Sequence, residues 1–181
     1  MQVISKPNKA LKQYKLRLAS SATPHLLANY NLPLQGISCM ENFMSVEYKI
    51  NVPISTDQFI ALLTNSTLGE RRPIEDRDCM EGMISNSNLM VSAWDLGKLV
   101  GVSRSVTDFH YACYLSDLAV AESHQKMGIG KQLQIITQSE LGPRCKLILI
   151  AAPSANEYYE HIGFTNNKRC WVLERDSRVH S

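Results

Sequence analysis

The stretch HQKMGIGKQL, residues 124–133, carries two glycines one residue apart directly before an apolar-periodic run. Gly128 and Gly130 have no side chain, so a ligand can approach the backbone closely at both positions. If a helix follows, the N–H groups of its first turn are free to bind an anion, and the helix dipole favours negative charge there. The stretch therefore predicts an anion-binding turn, with a tight turn that only needs small residues as the alternative.

Two common phosphate-binding loops do not match this stretch. A dinucleotide-binding loop needs G-x-G-x-x-G and an acidic residue about 20 positions further on. Here no third glycine follows in register, and the next strand offers no acid. A Walker A loop needs G-x-x-x-x-G-K-[ST], but Gln132 follows Gly130 and Lys131, and no glycine stands at the required earlier position. The pattern therefore excludes both loops.

The segments around the turn predict a strand–helix–strand unit. Residues 112–120 are typical of a strand, and the run KLILIAA, residues 146–152, is typical of a strand buried on both faces in a parallel sheet. Between them, a helix is predicted by apolar residues at i, i+4 and i+7: Ile129, Leu133 and Ile136. Gly142, in a left-handed cap before Pro143, predicts the end of that helix. The turn then lies at the carboxyl end of the first strand, where open α/β sheets bind ligands.

The rest of the chain adds further strands and helices. Strands are predicted at residues 47–52, 90–94 and 99–106, and helices at residues 56–63 and 73–84. Gly97 in DLGK can take a positive φ, which predicts a hairpin. Further on, SANE predicts a capping box of Ser154 and Glu157, which opens a short helix ended by Gly163. Residues 170–174 predict a last strand. This order favours an α/β fold in which helices flank a central sheet.

The charged residues are unevenly distributed. Five basic residues and no acid lie in residues 1–40, so the other 14 basic residues face 17 acids, and residues 41–181 sum to −3. A mildly acidic body without a basic stripe predicts no nucleic-acid partner. The longest apolar run covers residues 147–152, far short of the roughly 20 residues that cross a bilayer. The sequence therefore predicts no membrane association.

The cysteines and histidines show no metal-binding pattern. The five cysteines are odd in number and widely spaced, with no C-x-x-C pair, and the five histidines are scattered. This arrangement argues against a disulfide framework and against a zinc site, and it favours a reducing compartment. We therefore expect a cytoplasmic protein without a bound metal.

Residues 1–43 differ in character from the rest of the chain, because they are polar, weakly periodic and interrupted by prolines. Three interpretations stay open for this N-terminal extension: a disordered arm, a transit-like leader, or translated sequence upstream of a true start at Met40 or Met44. Residues 44–175 are predicted to form the folded domain, and residues 176–181 a C-terminal tail.

Two motifs together resemble a known family. LSDLAV followed by HQKMGIGKQL resembles the acetyl-CoA signature of the GNAT superfamily of N-acetyltransferases, [RQ]-x-x-G-x-[GA], with Gln125, Gly128 and Gly130 at its fixed positions. YYEHIGF, residues 158–164, is similar to the family's second signature, FYEKLGF. The order and spacing of the motifs also fit, and the resemblance covers residues 44–175. It implies a GNAT-like mixed sheet with splayed parallel strands at the cofactor site, and acetyl transfer from acetyl-CoA to a primary amine by direct attack.

The resemblance also implies roles for individual residues. The diphosphate of CoA would be held by Gln125, Lys126, Met127, Gly128, Ile129, Gly130 and Lys131. The pantetheine arm would pair with the main chain of Leu118, Ala119 and Val120, as another strand would. Many relatives carry an asparagine cofactor contact where this chain has Ala152, so that contact is lost or replaced by Ser154 or Asn156.

Tyr159 matches the family's tyrosine that often protonates the departing thiolate. Helical spacing places its neighbour Tyr158 on a core stripe with Ala155 and Ile162, and places Tyr159 about 100° away on another face. Because a phenol is a weaker acid than a thiol, this proton transfer is uphill by roughly 2 kcal/mol. Either the pKa of Tyr159 is lowered, or the proton comes partly from the attacking ammonium.

The general base is less clearly indicated. Asp117 is the carboxylate nearest to the presumed thioester, and the alternative is that it anchors a bend in its strand; relatives often use a water chain instead. Glu70, Arg71 and Arg72 fall in the region that helps to form the family's acceptor pocket. The two arginines could hold an acidic substrate group, or they could be solvated surface residues.

A second hypothesis belongs to another class of protein. Without an asparagine at Ala152 and without an obvious base, the chain could be a non-catalytic acyl-CoA-binding module or sensor on the same fold. The sequence leaves open which small-molecule or peptide amine accepts the acetyl group, and whether the protein is a monomer or a homodimer.

Overall fold

The computed structural model of the chain describes residues 13–15 and 46–180. The chain divides into two compact units, Met1–Ile148 and Leu149–Ser181. Apart from residues 13–15, which form a strand, the predicted N-terminal extension and both candidate starts lie outside the described residues. None of the helices in the described ranges has the length and apolar character that a membrane crossing requires.

The first unit is built on a six-stranded mixed sheet in the order β1 to β6. Its strands are β1 (Gln13–Lys15), β2 (Glu47–Ile50), β3 (Leu89–Asp95), β4 (Lys98–Thr107), β5 (Ala112–Val120) and β6 (Lys146–Ile148). Neighbours are antiparallel except β5 and β6, which are parallel. Leu96 and Gly97 both have positive φ, 46° and 80°, as a tight hairpin turn between β3 and β4 requires. The predicted hairpin and the mixed sheet are confirmed.

The described residues form four α-helices: α1 (Thr56–Thr64), α2 (Arg77–Ser85) and α3 (Ile129–Ser139) in the first unit, and α4 (Asn156–His161) in the second unit. A capping box starts α1, because the Gln58 N–H donates to Ser55 Oγ (3.2 Å) and the Ser55 N–H donates to Gln58 Oε1 (3.0 Å). The start of α2 lies four residues after the predicted Pro73. There the Asp76 carboxylate accepts from the Cys79 N–H (2.9 Å), which caps the helix.

Two hydrophobic cores lie on opposite faces of the sheet. Met90 and Trp94 of β3 pack with α1 and α2, whereas Val91 and Ala93 pack with α3, as the alternation of side chains along a strand requires. The predicted apolar face of α3 is confirmed, since its three residues are at most 3% exposed: Ile129, Leu133 and Ile136. This packing places the start of α3 against Gly101, near the start of β4, which pairs with Val120 at the end of β5.

The connection from α3 to β6 differs from the prediction in two respects. Gly142 does not adopt the left-handed region. A glycine is needed there because a Cβ would lie 2.7 Å from the Phe109 carbonyl oxygen, to which the Gly142 N–H donates (2.8 Å). The strand predicted over residues 146–152 extends only over Lys146–Ile148, and Ile148 is 46% exposed. The predicted burial on both faces is wrong, because Lys146 and Ile148 point one way and are exposed, and Leu147 on the other face is only half-buried.

The second unit contains α4 and otherwise turns. Ala155 is the N-cap of α4, and residues 153–155 form a 3₁₀ turn, so the predicted capping box at Ser154 is wrong. Gly163, at φ 97°, ends the helix as predicted. The predicted strand at residues 170–174 is absent, and Trp171 in this segment is 91% exposed. A strand needs a partner for its backbone groups, and no strand follows β6 in the described part of the chain.

Candidate active site

The connection from β5 to α3 presents a row of backbone N–H groups. It consists of a 3₁₀ turn, Glu122–His124, and a loop in which Lys126 and Gly128 have positive φ, 62° and 79°. The N–H groups of residues 126–131 have no acceptor among the described residues, and the first helical bond runs from the Gln132 N–H to the Gly128 oxygen (3.0 Å). Consecutive free donors at a helix start form an anion site. We call residues 126–131 the N–H cradle.

The space next to Gly128 in the N–H cradle is open. A Cβ at Gly128 would meet no protein atom within 4 Å, so a side chain there would project into open space. The side chains of Lys126 and Lys131 are exposed at the two ends of the cradle. Free donors, open space and two cations are features of an anion site, and the diphosphate that the family resemblance implies for this loop stays a prediction.

Side chains fix the turn that precedes the cradle. His124 Nε2 lies 3.2 Å from Asp95 Oδ2, and His124 Nδ1 lies 2.8 Å from Ser123 Oγ. The Gln125 side chain folds back, so that its Nε2 donates to the Val120 oxygen (3.2 Å). Gln125 therefore contacts the end of β5, and its predicted contact with the diphosphate stays a prediction.

The edge of β5 next to the cradle is open. Pairing with β6 covers only Ala112–Tyr114, while β5 continues to Val120. Since the Ala121 N–H donates to the Val100 oxygen (2.9 Å), alternate residues direct their backbone groups toward β4. Ala119 therefore faces β4, and Leu118 and Val120 present their N–H and C=O groups on the opposite edge. An extended ligand can pair with Leu118 and with the N–H of Val120, whose oxygen already accepts from Gln125, whereas the backbone of Ala119 is turned toward β4.

A β-bulge interrupts β5 at the start of this edge. Arg104 pairs with Asp117 and Ser105 with Leu115, which leaves Ser116 as an extra residue. The Asp117 side chain is fully buried; its Oδ1 accepts from Arg72 Nε (2.6 Å) and its Oδ2 accepts from Arg104 Nε. The structure thus holds a buried cluster of two guanidinium groups and one carboxylate. We call Arg72, Asp117 and Arg104 the arginine–aspartate cluster.

These contacts bear on the two roles left open for Asp117. To take a proton, its carboxylate would have to weaken a charge-assisted hydrogen bond in a buried site. The geometry favours the alternative, an anchor of the bend in β5, and the role of base stays a prediction. The Arg72 guanidinium is directed toward the buried Asp117 carboxylate, and its side chain is 24% exposed. Glu70 and Arg71 are exposed.

Sequence reasoning missed Arg104. Its Nη1 donates to Met83 O (3.1 Å) and Ser87 Oγ (2.9 Å), and its Nη2 donates to Ser116 Oγ (2.8 Å). An arginine in the middle of an otherwise uncharged segment, VGVSRSV, was the available signal, since such a residue is buried only with partners.

The sequence also does not predict a cavity of about 370 Å³ that lies between α1, the β3–β4 turn and the 3₁₀ turn. Lys98 and Glu122 are among its lining residues.

The second unit carries the predicted proton donor. Tyr159 is half-buried, and its ring lies edge-on to Phe164 (5.4 Å between centroids) and to Tyr158 (5.3 Å). Tyr158 is 40% exposed, so its assignment to a core stripe is wrong, because α4 has no buried residue. Asn156 is exposed at the first position of α4. The roles of Tyr159 and Asn156 stay predictions.

Comparison with known proteins identifies the family of this chain. Residues 66–172 match the model of the acetyltransferase (GNAT) domain. The chain belongs to the GNAT acetyltransferase family. The resemblance seen in the sequence is thereby confirmed, and acetyl transfer is the general activity of this family.

Solved structures share the GNAT fold with this chain. A GNAT family acetyltransferase from Streptococcus pneumoniae TIGR4 has a TM-score of 0.57 at 20% identity, over 72% of this chain and 99% of its own. An aminoglycoside N-acetyltransferase in complex with CoA has a TM-score of 0.58 at 15% identity, over 80% and 99%. A ribosomal-protein-alanine N-acetyltransferase from Brucella melitensis biovar Abortus 2308 has a TM-score of 0.55 at 18% identity, over 72% and 99%. A search of curated proteins gave no significant match.

Proposed function

We propose that this GNAT protein transfers the acetyl group of acetyl-CoA to a primary amine of a small molecule or peptide, by direct attack of the amine on the thioester. The observation that carries the proposal is the N–H cradle, residues 126–131, whose donors have no acceptor among the described residues. It lies at the end of the open edge of β5, where the pantetheine arm of CoA can pair as a strand does. Acetyl-CoA supplies the thioester carbonyl that the amine attacks.

In the proposed reaction, different residues of this chain bind acetyl-CoA, polarise its carbonyl and transfer protons. The cradle binds the diphosphate, and the backbone groups of Leu118 and Val120 pair with the amides of the pantetheine arm. The Leu118 N–H, directed to the open edge, polarises the thioester carbonyl, where negative charge develops during attack. Tyr159 donates a proton to the departing thiolate. Since Asp117 is engaged by two arginines, we propose that the amine loses its proton to water.

The names of two similar structures support this class of reaction. One is an aminoglycoside N-acetyltransferase in complex with CoA, and the other is a ribosomal-protein-alanine N-acetyltransferase. Both names describe transfer to nitrogen, but one acceptor is a small molecule and the other is a protein. The acceptor class is therefore kept as broad as both.

Binding is tested by calorimetry with CoA on Gly128→Leu and on a matched control, Gly97→Leu. Both glycines have φ near 80° and no protein atom within 4 Å of a Cβ, so each substitution should cost a similar amount of stability, about 1–2 kcal/mol. Only Gly128→Leu places its side chain in front of the cradle, and it alone should abolish CoA binding. Equal CoA affinities of the two variants would contradict the assignment of the cradle.

Catalysis is tested by thiol release from acetyl-CoA with a panel of amines, polyamines and peptides. Turnover with an amine supports the proposed transfer. CoA binding without thiol release for any amine would instead support the non-catalytic acyl-CoA-binding module. Tyr159→Phe should lower kcat much more than it changes CoA affinity, and an unchanged kcat would remove Tyr159 from the mechanism.

We also propose a cytoplasmic protein that is a monomer or a homodimer. The four cysteines in the described part of the chain are free: Cys79, Cys113, Cys145 and Cys170. The proposal of a reducing compartment rests on the cysteines of the sequence, which are odd in number and include no C-x-x-C pair. Light scattering on the purified chain would measure the oligomeric state, and fractionation of the source cells would test the location.

A further inference from the structure

The bulge in β5 is held by side chains from two other parts of the first unit. Arg72 Nη2 donates to the Ser116 carbonyl oxygen (2.8 Å), and Arg104 Nη2 donates to the Ser116 hydroxyl (2.8 Å). The next residue, Asp117, accepts from the Nε atoms of both arginines. The two arginines therefore engage the carbonyl and hydroxyl oxygens of Ser116 and both carboxylate oxygens of Asp117.

The two arginines are themselves fixed. Arg104 Nη1 donates to the Met83 carbonyl oxygen at 3.1 Å, on α2. Arg72 Nη1 donates to the Arg71 carbonyl oxygen at 2.8 Å, in the loop that follows α1. The bulge is thus tied to α2 on one side and to the α1–α2 loop on the other. It cannot shift along β4 without breaking charge-assisted hydrogen bonds.

The position of the bulge decides which backbone groups of β5 reach the open edge. Beyond it, the pairing of Arg104 with Asp117 and of Ser103 with Leu118 sets the alternation that turns the Leu118 N–H away from β4. Without the extra residue, Leu118 would lie opposite Val102 instead of Ser103, and its N–H would turn toward β4. A donor for a thioester carbonyl at Leu118 therefore depends on the presence of the bulge between Leu115 and Asp117.

The charge of the cluster acts in the same direction. Two guanidinium groups, which do not lose their protons, and one carboxylate leave a single excess positive charge. Arg104 and Asp117 are buried and Arg72 is mostly buried, with side-chain exposures of 7%, 0% and 24%. Screening by water is weak at such sites. A negative oxygen that develops beside Leu118 would therefore be stabilised.

We propose that Arg72 is a positioning residue for acetyl transfer, which holds the bulge at Ser116 so that the Leu118 N–H meets the thioester carbonyl. The proposal rests on the proposed function. It also assigns Arg72 a role other than clamping an acidic acceptor, since three of its N–H groups already bind Asp117, Ser116 and Arg71.

Kinetics separate positioning from binding. Arg72→Ala should lower kcat about 100-fold, the loss expected when a reacting group is displaced by about 1 Å, with little change in KM for acetyl-CoA. Arg72→Lys should recover part of the loss, because an ammonium can donate to Asp117 but cannot form the fork that also reaches Ser116. The matched control is Arg77→Ala, which removes an arginine from an exposed pair with Asp57 and should leave kcat unchanged.

A spectroscopic readout does not depend on turnover. Acetyl-CoA labelled with ¹³C at the thioester carbonyl should show a downfield-shifted carbonyl resonance on the wild-type protein, and Arg72→Ala should move it back toward the free value. The backbone amide resonance of Leu118 in the ligand-free protein should also change in Arg72→Ala and stay in place in Arg77→Ala. Thermal melting confirms that each variant is folded, and Arg72→Lys replaces Arg72→Ala if the latter does not fold.

The outcomes distinguish the two proposals. If wild-type turnover is present but a folded Arg72→Ala keeps its kcat or its carbonyl shift, the positioning role is overturned and the proposed function stands. If the wild type binds acetyl-CoA but transfers the acetyl group to no amine, the proposed transfer fails. The carbonyl and amide shifts then show whether Arg72 positions the Leu118 N–H at the thioester carbonyl. If the wild type does not bind acetyl-CoA, both proposals are overturned.

Discussion

Asp117→Asn tests whether Asp117 anchors the bend of β5 or acts as the base. The substitution keeps the volume of the side chain and removes its charge. The anchor hypothesis predicts a large loss of folding stability, because two arginines lose their shared counter-ion. The base hypothesis predicts a loss of kcat with little change in stability.

The expected loss of stability follows from the contacts of Asp117. Both carboxylate oxygens accept from guanidinium groups, and the side chain is fully buried. Hydrogen bonds to charged groups are worth about 1.5–3 kcal/mol each, and breaking a buried pair from one side costs about 3–5 kcal/mol. Arg104 is 7% exposed and has almost no access to water, whereas Arg72 at 24% is partly solvated. We therefore expect Asp117→Asn to lower the free energy of unfolding by about 3 kcal/mol, near the lower end of that range of about 3–5 kcal/mol.

Urea unfolding at neutral pH measures this loss. With an m-value of about 2 kcal/mol/M, the midpoint should fall by about 1.5 M with no change in m. Asp57→Asn is the matched control, because Asp57 pairs with Arg77 at 2.5 Å and its side chain is 76% exposed. An exposed pair contributes little, so the control should unfold close to the wild type.

The same two variants show which result refutes the anchor hypothesis. An Asp117→Asn variant that loses less than about 1 kcal/mol would mean that the buried charge needs no counter-ion, contrary to the reasoning above. If that stable variant also lost most of its thiol release, Asp117 would return as the base. A double-mutant cycle with Arg72→Ala isolates the coupling of this pair, expected at about 0.5–3 kcal/mol.

Three further predictions concern other parts of the first unit. Gly142→Ala should cost about 1–3 kcal/mol in urea unfolding, since its Cβ would lie 2.7 Å from the Phe109 carbonyl oxygen. Backbone N–H groups, that of Tyr111 first, lower the pKa of Asp108. Its stabilising effect should therefore be complete above about pH 4 and be lost as the pH falls through the lowered pKa, and acid titration of Asp108→Asn should lack this loss. Burial raises the pKa of the Cys113 thiol, so mass spectrometry after alkylation of the folded protein at pH 8 should find it modified last among the described cysteines.

The elements that the sequence predicts well are those with a local physical cause. The hairpin at Gly97 follows from a turn that needs positive φ, which a single glycine reveals. The buried face of α3 follows from the i, i+4, i+7 spacing of Ile129, Leu133 and Ile136. The N–H cradle belongs to the same class, because its donors come from one contiguous segment whose backbone geometry depends on Gly128. Such features need no knowledge of the rest of the fold.

The elements that were predicted wrongly depend on partners far away in the chain. Residues 170–174 have the composition of a strand, but a strand exists only where another strand accepts its hydrogen bonds. Gly142 was assigned to a left-handed cap because it precedes Pro143, whereas its cause is the close approach of Phe109, about 30 residues earlier. Tyr158 was assigned to a core that α4 does not bury. In each case the local sequence pattern is present, but contacts with distant parts of the chain, or their absence, determine the structure that forms.

The same distinction separates the two halves of the candidate site. The cradle offers main-chain donors from one segment, and the motif that encodes it can be recognised in sequence. The arginine–aspartate cluster consists of Arg72 from a loop and of Arg104 and Asp117 from two strands. No regular spacing of these residues in the sequence predicts their contact. Since Leu118 follows Asp117 directly, the cluster connects the local half to the rest of the fold. The proposed acyl carrier can therefore be inferred from a motif, whereas the proposed positioning of the carbonyl rests on contacts that only the folded chain creates.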